Sequence, residues 1–167
     1  MSPEPTGWLL AVDVGLRTGL ALFSRDGRLL WCRTRHLPDR TRLRRAIRGL
    51  LARLPDLRWV VLEGGGPLAE LWHREARRRG LRVRITQAEV WRRDVLLPRE
   101  QRTGAGAKRS ALSLAERVVR ASGAPRATPL RPDAAEAVLL GRWAWERIAR
   151  DPDGTDDLAE ADRIGPP

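Results

Sequence analysis

The sequence predicts an α/β protein in which helices flank a mixed five-stranded sheet. Three apolar runs joined by short turns open the chain, which is typical of an antiparallel meander. Two further apolar runs then alternate with amphipathic helical segments, and this pattern favours parallel pairing. The chain has 167 residues, which is long enough for one domain with its own hydrophobic core.

The five predicted strands are apolar runs that end at turn residues. "WLLAVDVG" begins the sheet and ends in an acid and a glycine, and "RWVVLEG" has the same arrangement. The second and third strands form a hairpin that turns at Asp26-Gly27, because Asp-Gly pairs adopt the backbone twist that hairpins need. In order, the predicted strands are residues 8–15, 20–24, 28–35, 58–64 and 81–86.

Five other segments have the spacing of helices. Leu43 and Ile47 fall on the apolar stripe of the first, and arginines coat its other face. Pro67 and Gly80 mark the start and the end of the second helix, and Gly123 ends the fourth. The predicted helices are residues 39–54, 67–80, 87–96, 108–122 and 133–149, and residues 98–107 and 124–132 are predicted loops.

The composition changes near the end of the chain and predicts a domain boundary there. We predict one folded domain over residues 1–150, with residues 1–6 as a loose lead-in, and a polar, flexible tail over residues 151–167. The tail is acidic and rich in turn residues, so it lacks the apolar surface that would fix it to the domain.

Several classes of protein are disfavoured. No apolar run approaches the roughly 20 residues of a membrane span, and the first residues lack the basic and apolar stretches of a signal peptide. Cys32 is the one cysteine and cannot form an intrachain disulfide, which favours the cytoplasm. The sequence contains no Cys/His cluster of the zinc type.

The charge points to a partner rich in phosphate. The formal net charge is +11 at pH 7 and the sequence pI is about 11.5, a balance typical of proteins that bind nucleic acid. A compositional bias towards arginine explains why Lys108 is the one lysine. It does not explain why bases outnumber acids.

Four acids occur beside apolar neighbours, where an uncompensated charge is unfavourable. Asp13 and Glu63 end the first and fourth predicted strands, and parallel neighbours bring such ends together. Asp133 and Glu136 are three residues apart and share one face of the last helix. We therefore expect the four carboxylates to meet at one place.

Each acid also has an ordinary structural interpretation. Asp13 precedes a turn glycine, Glu63 is compatible with a strand end at the surface, and Asp133 with Glu136 fits a helix cap and its capping box. Taken together, these interpretations require four coincidences. A shared site for the four acids explains all four positions at once.

A cluster of four carboxylates predicts a divalent metal site. Hard oxygen ligands favour Mg²⁺ or Mn²⁺, and such a group is able to hold two ions ~4 Å apart, the arrangement that serves in-line displacement at a phosphodiester. The predicted chemistry is metal-dependent hydrolysis of nucleic acid.

Four ordered motifs resemble those of the RuvC Holliday-junction resolvases. They are "LLAVDVGLRTGLALF", "WVVLEG", "GAGAKRSALSLAERVV" and "PDAAEAVLLG", within residues 8–146. The resemblance implies a ribonuclease H-like fold and a divalent-metal site at Asp13, Glu63, Asp133 and Glu136. It also implies cleavage of branched DNA by a homodimer, in DNA recombination and repair.

The resemblance further implies that Lys108 contacts phosphate near the cut. Its compact ammonium differs chemically from the guanidinium groups that carry the other basic charges. The alternative is a solvent-exposed lysine near the start of a helix.

Two departures from the family concern the substrate surface. Gly64, Gly65 and Gly66 follow Glu63 where the family has an aromatic residue, and the segment that leads to Thr86 is shorter. Glu136 stands where an aspartate is common. The resemblance therefore supports nuclease chemistry in this chain more strongly than it supports junction specificity or dimerisation.

Two other functions remain open, and several features have ordinary interpretations. An RNA-processing nuclease similar to the YqgF group would share the fold, and a non-catalytic nucleic-acid-binding protein would share the charge. "GAGAK" lacks the spacing of an ATP-binding loop. Residues 40–48 and 74–84 are candidate DNA-facing surfaces, and residues 40–48 fit a solvated helix face equally well. We expect Trp72, Trp91 and Cys32 in the core, and either tryptophan is also a candidate replacement for the family's aromatic residue. We expect His36 and His73 at the surface or at an interface.

Overall fold

A computed structural model describes residues 7–125 and 129–152 of the chain. The predicted lead-in, residues 126–128 of the predicted linker and most of the predicted tail lie outside the described residues. The division at residue 150 therefore stays a prediction.

Five strands form one mixed sheet, as the sequence predicts. The spatial order is β3-β2-β1-β4-β5. The first three strands are an antiparallel meander, and β1 pairs in parallel with β4, which pairs in parallel with β5. The strands are β1 (Trp8–Asp13), β2 (Arg17–Phe23), β3 (Leu29–His36), β4 (Leu57–Glu63) and β5 (Arg82–Thr86).

Five α-helices follow the predicted order. They are α1 (Arg40–Ala52), α2 (Gly66–Arg78), α3 (Ala88–Val95), α4 (Gly104–Ser122) and α5 (Pro132–Arg150), with a short 3₁₀ turn at Pro98–Gln101. No helix of the described residues is long and apolar enough to cross a membrane.

The predicted loop over residues 98–107 is wrong in both of its halves. The first half contains the 3₁₀ turn, and α4 already begins at Gly104. The Thr103 side chain accepts a hydrogen bond from the Gly106 backbone N–H at 2.9 Å. This cap satisfies a free amide of the first turn and extends the helix through glycines that by themselves disfavour it.

The two faces of the sheet have separate hydrophobic cores. Leu9 and Ala11 of β1 pack with α3, α4 and α5. Leu10 and Val12 alternate with them and pack with α1 and α2 on the opposite face. The two-residue period of β1 therefore determines which face of the sheet a side chain at the end of this strand points to.

The buried and exposed side chains follow the expectations from the sequence. Trp72, Trp91 and Cys32 are buried, whereas His36 and His73 are exposed. Neither tryptophan is thus available at the surface as a replacement for the family's aromatic residue.

Candidate active site

Asp13 and Glu63 lie side by side at the carboxyl ends of two parallel strands. They are paired in the register of β1 and β4, and each is the last residue of its strand. Both continue the alternation of Leu9, Ala11 and Val61, whose side chains face α5. The two carboxyl groups therefore point into the same layer, and Glu63 is only 8% exposed.

The start of α5 is held against this edge by a glycine. Gly19 of β2 is opposite Asp13 in the sheet, and a methyl group at Gly19 would stand 1.8 Å from the Asp133 carbonyl oxygen. Only a residue without a side chain permits this approach of helix to strand. Asp133 is thereby placed beside Asp13, and Glu136 follows one turn later and is 6% exposed.

The ordinary interpretations of three of these acids are wrong. The N-cap of α5 is Arg131, and no side-chain hydrogen bond caps this helix among the described residues. Asp133 is therefore not the N-cap, and Glu136 lies beyond the position of a capping box. Glu63 is buried rather than at a surface strand end.

The electrostatics of Asp13 place it near the three other carboxyl groups. Desolvation, followed by the negative charges of Glu63, Glu136 and Asp133, raises the pKa of Asp13 to about 7. Desolvation also raises the pKa of Glu63 to about 7, with a further contribution from Glu136. Asp13 is thus in the electrostatic range of all three other acids.

Two residues of α3 complete the cluster, and the sequence analysis missed one of them. The Trp91 indole N–H donates to the Glu63 carboxylate, which lowers the pKa of Glu63 against the effect of burial. Arg92 Nη2 donates to Glu136 Oε1 at 2.7 Å, and its charge lowers the pKa of Asp13 and of Glu63. The sequence contains no pattern that predicts the contact between Arg92 and Glu136, because the two residues are 44 positions apart.

The side chains fit a divalent ion by chemistry but are not yet arranged around one. Four carboxylates are a hard-oxygen donor set, and Glu136 Oε2 is buried without a hydrogen-bond partner in the described part of the chain. Among the described residues, however, no group of three or more His, Cys, Asp and Glu side chains is positioned to hold a metal ion as it stands. A guanidinium already occupies one side of Glu136, so a local rearrangement would have to accompany any binding of a metal ion there.

Lys108 is not part of this cluster. It is exposed in the second turn of α4, and the charges that act most on Asp13 and Glu63 do not include it. In the part of the chain that the structure describes, no hydrogen bond or ion pair joins Lys108 to any of the four acids. Its predicted contact with phosphate stays a prediction.

The predicted DNA-facing helix lies mostly on the other side of the sheet. Leu43 and Ile47 anchor α1 to the face opposite α5. Two of its arginines, Arg44 and Arg48, bind the buried carboxylate of Glu75 in α2. Part of the basic surface of residues 40–48 and 74–84 thus serves to hold two helices together.

Comparison with known proteins supports the fold and gives no relative by sequence. No protein-family model matches the chain, and no curated protein is similar to it. Among solved structures, the chain is similar to RuvC of T. thermophilus in complex with a Holliday junction substrate. The TM-score is 0.61 at 14% sequence identity, and the match covers 84% of this chain and 94% of that one. The strand order and the flanking helices are therefore those of the ribonuclease H-like fold.

Proposed function

We propose that the chain is a divalent-metal-dependent endonuclease that hydrolyses phosphodiester bonds in branched DNA. The observation that carries this proposal is the meeting of Asp13, Glu63, Asp133 and Glu136 at one edge of the sheet. Burial and neighbouring acids raise the pKa of Asp13 and of Glu63, which is unfavourable for folding alone, and such acids are concentrated at functional sites. The fold is compatible with this chemistry and does not by itself establish it.

The four carboxylates would hold Mg²⁺ or Mn²⁺, and we propose two ions. When bound, the ions supply an activated water and stabilise the leaving oxygen of the cut strand. Asp13 is the central ligand in this proposal, because the other three acids all act on it. Trp91 fixes one oxygen of Glu63 by its N–H, which leaves the other for the ion.

The basic charge of the chain would bind the polymer. The net charge of +11 favours a polyanion, and counterion release would supply much of the affinity. Lys108 is exposed near the start of α4, and we propose that it contacts a phosphate close to the cut. Binding should therefore weaken steeply as salt is added.

The junction substrate and the dimer are the most specific parts of the proposal. Their support is the resemblance in four motifs and the similarity to a RuvC structure that contains a Holliday junction substrate. A two-fold dimer would match the symmetry of a four-way junction. We propose that the protein acts as a homodimer in the cytoplasm, where its substrate is accessible.

A nicking assay tests the function. Labelled four-way junction, linear duplex, single-stranded DNA and RNA are incubated with the protein in Mg²⁺ or Mn²⁺, and the products are resolved on a denaturing gel. We expect cuts in the junction that disappear in Asp13→Asn and persist in Glu146→Gln, an exposed acid near the end of α5.

Each other outcome has a defined meaning. Cutting of RNA alone would favour an RNA-processing nuclease. Tight binding of DNA with neither cleavage nor coupled Mn²⁺ binding would favour a non-catalytic binder. Junction cleavage that is undiminished in Asp13→Asn would remove the acidic cluster from the mechanism.

A further inference from the structure

Arg92 is a cation inside the acidic cluster. Its side chain is 26% exposed, and its Nη2 lies 2.7 Å from Glu136 Oε1. Among the charges that act most on Asp13, three are carboxylates and one, Arg92, is positive. The guanidinium therefore supplies positive charge at the place where the proposed function requires a metal ion.

The pair of Arg92 and Glu136 is incomplete on both sides. Arg92 Nε and Glu136 Oε2 are buried, and neither has a hydrogen-bond partner within residues 7–125 and 129–152. Arginine and carboxylate groups often pair through two parallel hydrogen bonds. Here a single hydrogen bond connects them, and a second donor and a second acceptor remain unused. A pair with unsatisfied atoms is easier to exchange for another ligand than a complete one.

We infer that Arg92 is the resident cation of the acidic cluster and competes with a divalent metal ion for Glu136. This inference rests on the proposed metal-dependent function. Without metal, Arg92 neutralises Glu136 and limits the repulsion among the four acids. To hold an ion, Glu136 would release the guanidinium, and α3 would keep Arg92 near the site. Arg92 is thus a positioning residue that sets how tightly the site binds its ion.

Binding of Mn²⁺, measured by isothermal titration calorimetry without DNA, tests the competition. The variant Arg92→Gln removes the competing charge, and Arg93→Gln removes the same charge from an exposed neighbour in α3. Because charges act strongly at short range in a partly buried site, we expect Arg92→Gln to bind Mn²⁺ about tenfold more tightly than the wild type. Arg93→Gln should change the affinity by less than about twofold, because solvent and salt screen an exposed charge.

The outcomes separate this inference from the proposed function. Tighter binding by Arg92→Gln supports the competition, also where the wild type itself binds too weakly to measure. Equal or weaker binding by Arg92→Gln, with a wild type that binds, overturns the competition and leaves the metal site intact. Absence of binding by both overturns the metal site and the competition with it.

A second measurement covers the case in which Arg92→Gln does not fold. The side-chain Nε–H resonance of Arg92 is assigned in the wild type by comparison with Arg92→Lys, and the wild type is titrated with diamagnetic Mg²⁺. We expect this resonance to shift with the same midpoint as Mg²⁺ binding, and the Arg93 resonance to stay in place. A resonance of Arg92 that does not change at Mg²⁺ saturation would show that the guanidinium stays on Glu136 and would overturn the inference.

Discussion

Two buried glutamates of this protein are paired with arginine, and their surroundings differ. Glu75, between α1 and α2, is 4% exposed and accepts hydrogen bonds through both oxygens from Arg44, Arg48 and Arg78. Glu136, in α5, is 6% exposed and is bound through one oxygen by Arg92.

The surroundings determine what each pair does. Hydrogen bonds from Arg48, followed by those from Arg44, lower the pKa of Glu75 although burial opposes them. At the other site the pKa of Asp13 and of Glu63 is raised to about 7 by desolvation and by neighbouring acids. A satisfied cluster contributes to packing, whereas an acid-rich cluster remains unbalanced until a cation joins it. The comparison gives a reason, independent of any relative, to propose the acid-rich cluster and not the Glu75 cluster as the functional site.

The largest expected effect separates the two clusters by activity. Asp13→Asn removes the acid on which the other three act, and we expect junction cleavage to fall by at least about 100-fold, because the ion loses its central ligand. Glu75→Gln should leave the rate per folded molecule within about twofold. Single-turnover cleavage in Mg²⁺ measures both. A large loss of cleavage rate in a normally folded Glu75→Gln variant would contradict the distinction between the two clusters.

The next effect comes from the glycine beneath the acid-rich cluster. Gly19→Ala would place a methyl group 1.8 Å from the Asp133 carbonyl oxygen, so the start of α5 has to move. We expect a loss of about 1–3 kcal/mol in the free energy of unfolding, together with lower activity although no acid is changed. Urea denaturation and the nicking assay measure the two effects.

A matched control for this variant lies in α1. Gly49→Ala adds the same methyl group, but its one neighbour within 4 Å is the flexible end of Arg53, at 3.9 Å. Alanine favours the helix over glycine, so stability should stay equal or rise. Equal behaviour of the two variants would mean that the tight contact at Gly19 does not hold α5 in place.

The pH dependence of stability should reveal the unbalanced cluster. Between about pH 4 and pH 7 the folded protein binds more protons than the unfolded chain, because the pKa of Asp13 and of Glu63 is about 7 in the fold and near 4 in the unfolded chain. Stability of the metal-free protein should therefore fall as the pH rises through this window, by a few kcal/mol, because a shift of about three pKa units corresponds to about 4 kcal/mol for one group and two coupled groups do not contribute independently.

Metal provides the control for this effect. Denaturation at pH 5 and pH 8, with and without saturating Mg²⁺, should show that the ion cancels most of the loss at pH 8. Asp13→Asn should flatten the metal-free profile. A metal-free stability that rises from pH 5 to pH 8 would contradict the raised pKa values.

The smallest expected effect concerns the satisfied cluster. Glu75→Gln leaves three arginines without their shared anion, but their side chains are 44–54% exposed and water screens their charges. We expect a loss of about 1–2 kcal/mol in the free energy of unfolding, since Glu75 itself is buried. A larger loss would indicate that this cluster is a main determinant of the fold.

The sheet and the position of its acids were predictable from local patterns. The apolar runs of β1 and β4 each end in an acid, and parallel pairing places those ends together. Asp133 and Glu136 share a helix face at any packing of α5. These inferences need the period of each element and, for Asp13 and Glu63, the assumption that the first and fourth strands are parallel neighbours, which the sheet order confirms.

The remaining features depend on contacts that no local pattern contains. Arg92 reaches Glu136 across 44 positions, and an arginine at a helix surface has no signature of such a contact. The start of α4 was misplaced because the glycines that follow Thr103 disfavour a helix, and the side-chain cap overrides them. Pro132 favours the first turn of a helix, and α5 accordingly begins at Pro132 with its cap at Arg131, two residues before Asp133.

The central claim is that the four acids share divalent ions, and a crystal soaked in Mn²⁺ tests it most directly by anomalous scattering. We predict two peaks about 4 Å apart, each within about 2.0–2.3 Å of carboxylate oxygens, with Asp13 touching at least one and Glu136 released from Arg92. An ordered cluster that stays free of anomalous density at saturating Mn²⁺, with Arg92 still bound to Glu136, would contradict the account.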